Sequence, residues 1–231
     1  WLFIFGVVNL ISNQITGRVI VPKTGTKNII MIGTVILAFC PYLLIVVDTY
    51  LSFMLVAFPF GAAIGFVIPS NQTQVSNIEN KTNKIYTPIY QAAFSAGSLS
   101  GALMAAYVIR QGIDPEITFS VMGFIILLSV LIIYFLGLPR SEDSVDPISK
   151  FQLPKKNIFI FGILLMFNFA TIGIIIDWSS LWLTRDLLAP LFLGGLVIVF
   201  FNAGEIVARL FASSFIKLLG EKIVGGYLSI I

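Results

Sequence analysis

Six stretches of this chain hold no charged residue: residues 28–47, 51–78, 88–109, 117–138, 157–176 and 187–204. The shortest is 18 residues long, and a helix needs about 20 predominantly apolar residues to cross the hydrocarbon core of a bilayer. No water is available there to satisfy a backbone, so runs of this kind span as helices. Composition agrees. Only 11% of the 231 residues are charged and 58% are hydrophobic, whereas a soluble domain carries about a quarter charged residues. The expectation is an all-α integral membrane protein with spans near 1–19, 28–47, 51–78, 87–109, 117–138, 157–182 and 188–216, and a stub at 223–231. The chain opens on Trp1 inside an apolar stretch and closes on IVGGYLSII, as a fragment of a longer protein would.

Basic residues orient the spans. One set of alternate connections holds Arg18, Lys23, Lys27, Lys81, Lys84, Arg140, Lys150, Lys155, Lys156, Lys217 and Lys222. The other holds Arg110 and Arg185. Cytoplasmic loops carry the Lys/Arg excess, so the first set lies inside. GRVIVPKTGTK, residues 17–27, therefore reads as a cytoplasmic loop between the first two spans. PRSEDSVDPISKFQLPKK, residues 139–156, carries three prolines and mixed charge and reads as a linker. The chain has no His, which excludes His-based metal, haem and acid–base chemistry within it. The single Cys40 lies in an apolar run and reads as a packing residue.

The first basic stretch has an echo. RVIVPKTGTK (18–27) aligns with SSFIKLLGEK (213–222), pairing Gly25 with Gly220 and Lys27 with Lys222. The shift spans six helices. An even number preserves orientation, so the repeat is parallel, a plan known from transporters built of two six-helix halves.

At Arg18, Pro22, Lys23, Gly25 and Lys27 the chain resembles the major facilitator superfamily. That family's cytoplasmic signature is roughly G-x-x-x-D-[RK]-x-G-x-[RK]. Lys23, Gly25 and Lys27 fit it, while Arg18 and Pro22 replace the first Gly and the Asp. GAAIGFVIPSNQTQ (61–74), YQAAFSAGSLSGAL (90–103) and DWSSLWL (177–183) are similar to the fucose-permease-like branch of sugar transporters. The resemblance implies two parallel six-helix bundles, incomplete here. Residues 1–138 would form helices two to six of the N-terminal bundle, 139–156 the linker, and 157–231 helices seven to nine. It also implies a cytoplasmic gate at Arg18, Lys23, Gly25, Lys27, Gly220 and Lys222. With Pro22 in place of the acid, Glu79 is the expected acidic partner.

Ionisable groups inside a membrane are costly unless paired or hydrated, so each is a functional candidate. Glu205 and Arg209 stand four apart on one helix and share a face. They read either as a coupling and substrate pair or as a structural pair. Asp177 and Trp178, near an outer helix end, read as an outer gate or as a solvated acid beside an interfacial anchor. Asn71, Gln72 and Gln74, after Pro69, can hydrogen-bond a polyol or stitch helices together. Gln91, Asn168 and Asn202 are further substrate candidates. Asn9, Asn13 and Gln14 are expected to mediate helix contacts. Gly97-x-x-x-Gly101 has the spacing of a close helix–helix seam.

The functional expectation is a secondary active transporter, a symporter working by alternating access on a small, sugar-like molecule, with proton coupling through Glu205 or, second, Asp177. It is not an enzyme: no convergent nucleophile, base or metal set is visible, and no Walker motif. No cofactor is expected. The partners are a small-molecule substrate, protons and the lipid bilayer, with no nucleic acid, and the protein acts as a monomer in the bacterial inner membrane. Drug or metabolite efflux stays open, because 21 Phe residues can line an aromatic cavity. A membrane sensor or membrane-embedded enzyme is the alternative of another class.

Overall fold

The structure is a computed structural model. It describes residues 1–142 and 156–220, together with Ile223. All of the expected stub at 223–231 but Ile223, and most of the linker, lie outside the described residues. A short 3₁₀ turn, Arg140–Glu142, follows the fifth helix.

Seven helices among the described residues are long and apolar enough to cross a membrane. They are α1 (Leu2–Thr24), α2 (Thr26–Val46), α3 (Tyr50–Thr82), α4 (Thr87–Gln111), α5 (Pro115–Leu136), α6 (Lys156–Arg185) and α7 (Leu191–Leu219). Local chemistry sets several of their ends. Thr49 and Ser52 form a reciprocal capping box at the start of α3, satisfying two donors that a helix start leaves unpaired. Asp114 accepts a hydrogen bond from the Glu116 amide at the start of α5, 2.9 Å long, and Pro115 follows it, where its missing N–H costs nothing. Large apolar side chains cover the outside of the helices, Phe135 and Leu136 on α5 among them. In water such a surface would aggregate; in a bilayer it is the lipid-facing surface.

The expected loop at 17–27 is corrected. α1 runs through it to Thr24, and only Gly25 separates α1 from α2. Pro22 has no N–H to give and its ring crowds the preceding turn. The chain absorbs this with one π-helical turn, Thr16–Ile20, in which the Val21 amide reaches back to the Thr16 carbonyl. Widening the helix by one residue before a proline relieves the clash without ending the helix.

The helices group into two compact units. One contains α1, α2, α3 and α5. In it α1 and α3 run side by side in the same direction. A methyl group on Gly61 would stand 2.8 Å from the Phe5 carbonyl oxygen, and one on Gly65 would stand 2.6 Å from Ser12 Cβ and 2.9 Å from the Asn13 amide nitrogen. Trp1 stacks on Phe5 at 5.5 Å between ring centroids, and Phe60 of α3 closes on both. Asn9 and Asn13 thus lie on this seam, as expected for helix contacts, and Gln14 is exposed. The Gln74 amide donates to the Thr26 hydroxyl at 3.0 Å, stitching α3 to α2.

The other unit contains α4, α6 and α7. α7 packs antiparallel against α4: a methyl group on Gly195 would sit 3.3 Å from Ala106 Cβ and 3.8 Å from the Ala102 carbonyl oxygen. The expected seam at Gly97 and Gly101 is corrected. A methyl group on either would meet nothing within 4 Å among the described residues. The same spacing does pack closely, but at Gly61 and Gly65 on α3.

Gly25 and Gly220, paired by the sequence repeat, have nearly the same backbone: φ 81°, ψ 158° and φ 84°, ψ 152°. This region is accessible essentially to Gly alone. Each glycine ends a helix, and each amide bonds the carbonyl four residues back at 2.8 Å, Val21 for Gly25 and Ile216 for Gly220. Lys222 lies outside the described residues.

Candidate functional site

α4 and α7 bring together the strongest polar cluster. On α7, Glu205 and Arg209 are one turn apart, and Arg209 Nη2 donates to Glu205 Oε1 at 2.9 Å. α4 supplies the rest. Ser95 Oγ donates to Glu205 Oε2 at 2.9 Å. Arg209 Nη1 donates to the Gln91 carbonyl at 2.9 Å and also to Ser95 Oγ. Ser95 is fully buried. The two charged side chains remain partly open, Arg209 at 27% and Glu205 at 20% relative exposure. The ion pair therefore presents one side to the surroundings while the other is fixed to α4.

The helical repeat explains this convergence. Gln91 and Ser95 are four apart on α4, as Glu205 and Arg209 are on α7, so each pair lies on one stripe. Asn202 continues the α7 stripe by one turn. It is buried, and its amide donates to the Ile198 carbonyl at 2.8 Å. Gln91 takes part through its backbone carbonyl. Sequence reading missed Ser95: a serine in AAFSAGS reads as a small packing residue, and only its place opposite Glu205 gives it a role.

A carboxylate and a guanidinium held in this way form charge-assisted hydrogen bonds, which are shorter and stronger than neutral ones. Capacity remains on the open side. A carboxylate has about four acceptor positions and a guanidinium five N–H donors, and the contacts named use two acceptor positions and three donors. The open side can thus bind a polar ligand that both gives and accepts hydrogen bonds.

The remaining candidates stand on other helices. On α6, Asn168, Asp177 and Trp178 are exposed. Trp178 lines a hollow of about 550 Å³ with Trp182, Arg185 and Asp186 at the end of α6. On α3, Asn71 is half-buried, Gln72 exposed and Glu79 half-buried. Arg18 and Lys23 are exposed on the last turns of α1, not in a loop. Lys27 begins α2, and its ammonium lies 5.1 Å from the centre of the Tyr134 ring on α5, a cation–π arrangement.

Seven apolar helices, glycine- and alanine-lined seams and a charged pair held between two of the spans define a multi-pass helical membrane protein. Its family follows from comparison: the sequence model of the Major Facilitator Superfamily matches residues 1–231, and the chain belongs to that family. It is also similar to an uncharacterized MFS-type transporter of Yersinia pestis, with 23% identity over 184 residues, covering 79% of this chain and 47% of the relative. The chain thus spans about half the length of the curated relative it matches. No solved structure matches it.

Proposed function

We propose that this chain is the greater part of the transport core of a secondary active transporter, and that the whole protein moves a small polar, sugar-like molecule across the plasma membrane by alternating access. Two halves of the protein, residues 1–138 and 157 onward, would rock about a midplane site. The observation that carries this reading is the Glu205–Arg209 pair within a membrane-spanning helix whose other charged residue, Lys217, stands near its C-terminal end; the pair is held from one side and open on the other. Membership of the Major Facilitator Superfamily and the likeness to an MFS-type transporter support transport over enzyme chemistry or sensing. Glu205 is the coupling carboxylate: protonation removes its charge and weakens its hold on Arg209. Asn71, Gln72, Gln91, Asn168 and Asn202 are the further substrate candidates, with Asp177 and Trp178 at the outer entrance. Arg18, Lys23, Gly25, Lys27, Glu79, Gly220 and Lys222 belong to the cytoplasmic gate.

The test uses the full-length protein in proteoliposomes, with a panel of radiolabelled sugars and polyols and an imposed pH gradient. Uptake driven by the gradient is expected, and Glu205→Gln is expected to reduce it at least tenfold. Gradient-driven uptake that persists in Glu205→Gln overturns the coupling role. A second reading, efflux of apolar compounds, has one specific support: the hollow at Trp178 and Trp182 is aromatic. Export of a fluorescent lipophilic cation, with no uptake of any polyol, would favour it.

A further inference from the structure

The α4–α7 seam differs along its length. At one end Gly195 meets Ala102 and Ala106, three small residues with no polar side chain. About ten residues along each helix, Glu205 and Arg209 meet Ser95 and the Gln91 carbonyl. Both contacts fit one antiparallel register. A small-residue crossing lets two helices approach and pivot; a set of charge-assisted hydrogen bonds fixes them. The polar end lies toward the start of α4, which follows Lys81 and Lys84, and toward the end of α7, which precedes Lys222. The excess of basic residues assigns that end to the cytoplasmic side.

From this we infer that Ser95 is a positioning residue that latches the cytoplasmic halves of α4 and α7 through the Glu205–Arg209 pair. A serine hydroxyl has one proton to give and two lone pairs to receive. Between an ionised Glu205 and Arg209 it has one orientation that uses both: it accepts from Arg209 Nη1 and donates to Glu205 Oε2. The Gln91 carbonyl holds Arg209 alone, whereas the Ser95 hydroxyl ties both members of the ion pair to α4. Neutralising Glu205 or drawing Arg209 toward a ligand removes one end of this chain of bonds. The tie then opens, and the helices turn about the Gly195 contact. The inference rests on the alternating-access reading, in which α4 and α7 come from different halves of the sequence.

The experiment measures spin–spin distances in the full-length protein, freed of native cysteines and reconstituted in nanodiscs. One label pair reports the inner ends, at Ile85 and Leu218, which are exposed. The other reports the outer ends, at Ile113 and Leu191, also exposed. Ser95→Ala is expected to add a longer inner distance and leave the outer distance in place, and Ser95→Thr, which keeps the hydroxyl, to restore the parent distribution. Should Ser95→Ala fail to accumulate, Ser95→Gly carries the same expectation. An unchanged inner distance overturns the latch. So does lengthening at both ends, which is what lost packing alone would give. The transport reading fails separately: an inner distance that responds to Ser95, in a protein that takes up and exports nothing, keeps the latch and removes the transporter.

Discussion

Two helix seams in this molecule are built on opposite principles. α1 and α3 meet backbone to backbone, with Gly61 and Gly65 pressed against Phe5, Ser12 and Asn13. Nothing in that contact can be switched, because its attraction is dispersion between atoms with no room to move. α4 and α7 meet through small residues at one end and through Ser95, Glu205 and Arg209 at the other. That contact depends on charge, and charge can be changed by a proton or a ligand. In a membrane, where lipid tails compete equally for apolar surface, packing and polar bonds are the two ways left to hold helices together. This chain uses the first where a contact is permanent and the second where it places ionisable groups.

The largest effect should come from breaking the packed seam. Gly65→Leu puts a branched side chain where even a methyl group would collide with the backbone of α1. Overpacking a tight site costs about 1–3 kcal/mol and more when the backbone has to move, so the full-length protein should lose most of its folded yield in detergent. Gly97→Leu, with open space around it among the described residues, should leave yield and melting temperature near those of the parent. Equal losses from both would mean that Gly97 packs as Gly65 does, and the contrast would disappear.

The polar seam should break more gently. Arg209→Ala leaves Glu205 with Ser95 as its one named partner, in a membrane-spanning helix. Removing one member of a buried pair costs about 3–5 kcal/mol. With the side chains 20% and 27% open, the loss should be nearer ~2 kcal/mol. Glu205→Gln with Arg209→Gln should cost less than Arg209→Ala alone, since no uncompensated charge remains. Thermal unfolding of the three forms checks the order. A double variant worse than the single one would show that the pair is held by shape and not by charge.

How much of this could be read from the sequence depended on the kind of signal. Six of the seven spans coincide with the uncharged runs, and the membrane class follows from those runs, because their length and composition suit a helix that crosses a bilayer. Glu205 and Arg209 were legible because charge is conspicuous in such a run. Ser95 was not, since a hydroxyl gains meaning only from the helix opposite. The two glycine motifs are the sharpest case. Gly61-x-x-x-Gly65 and Gly97-x-x-x-Gly101 have the same spacing, and spacing says that a helix has a smooth stripe, not what lies against it. The stretch 17–27 is similar: its basic residues mark a side of the membrane, not a loop, and Pro22 forbids one hydrogen bond without saying whether the helix ends or widens. The pairing of Gly25 with Gly220 was legible from a two-residue match, and their shared backbone geometry explains why glycine stands at both places.

That shared geometry offers the smallest and cleanest test, because it isolates what the two seams have in common. α1 belongs to the packed seam and α7 to the polar one, yet both end on a glycine in the same conformation. A methyl group on Gly220 would meet nothing within 4 Å among the described residues, so Gly220→Ala should report mainly backbone strain, about 1 kcal/mol. Gly25 is buried, so Gly25→Ala should cost that amount plus whatever its surroundings add. Unfolding both variants in detergent gives the difference directly. If Gly220→Ala proves the more destabilising, strain at the cap is not the common term, and the two helix ends are alike in outline only. If Gly25→Ala is the worse by a margin, the margin belongs to the packing around the buried end of α1.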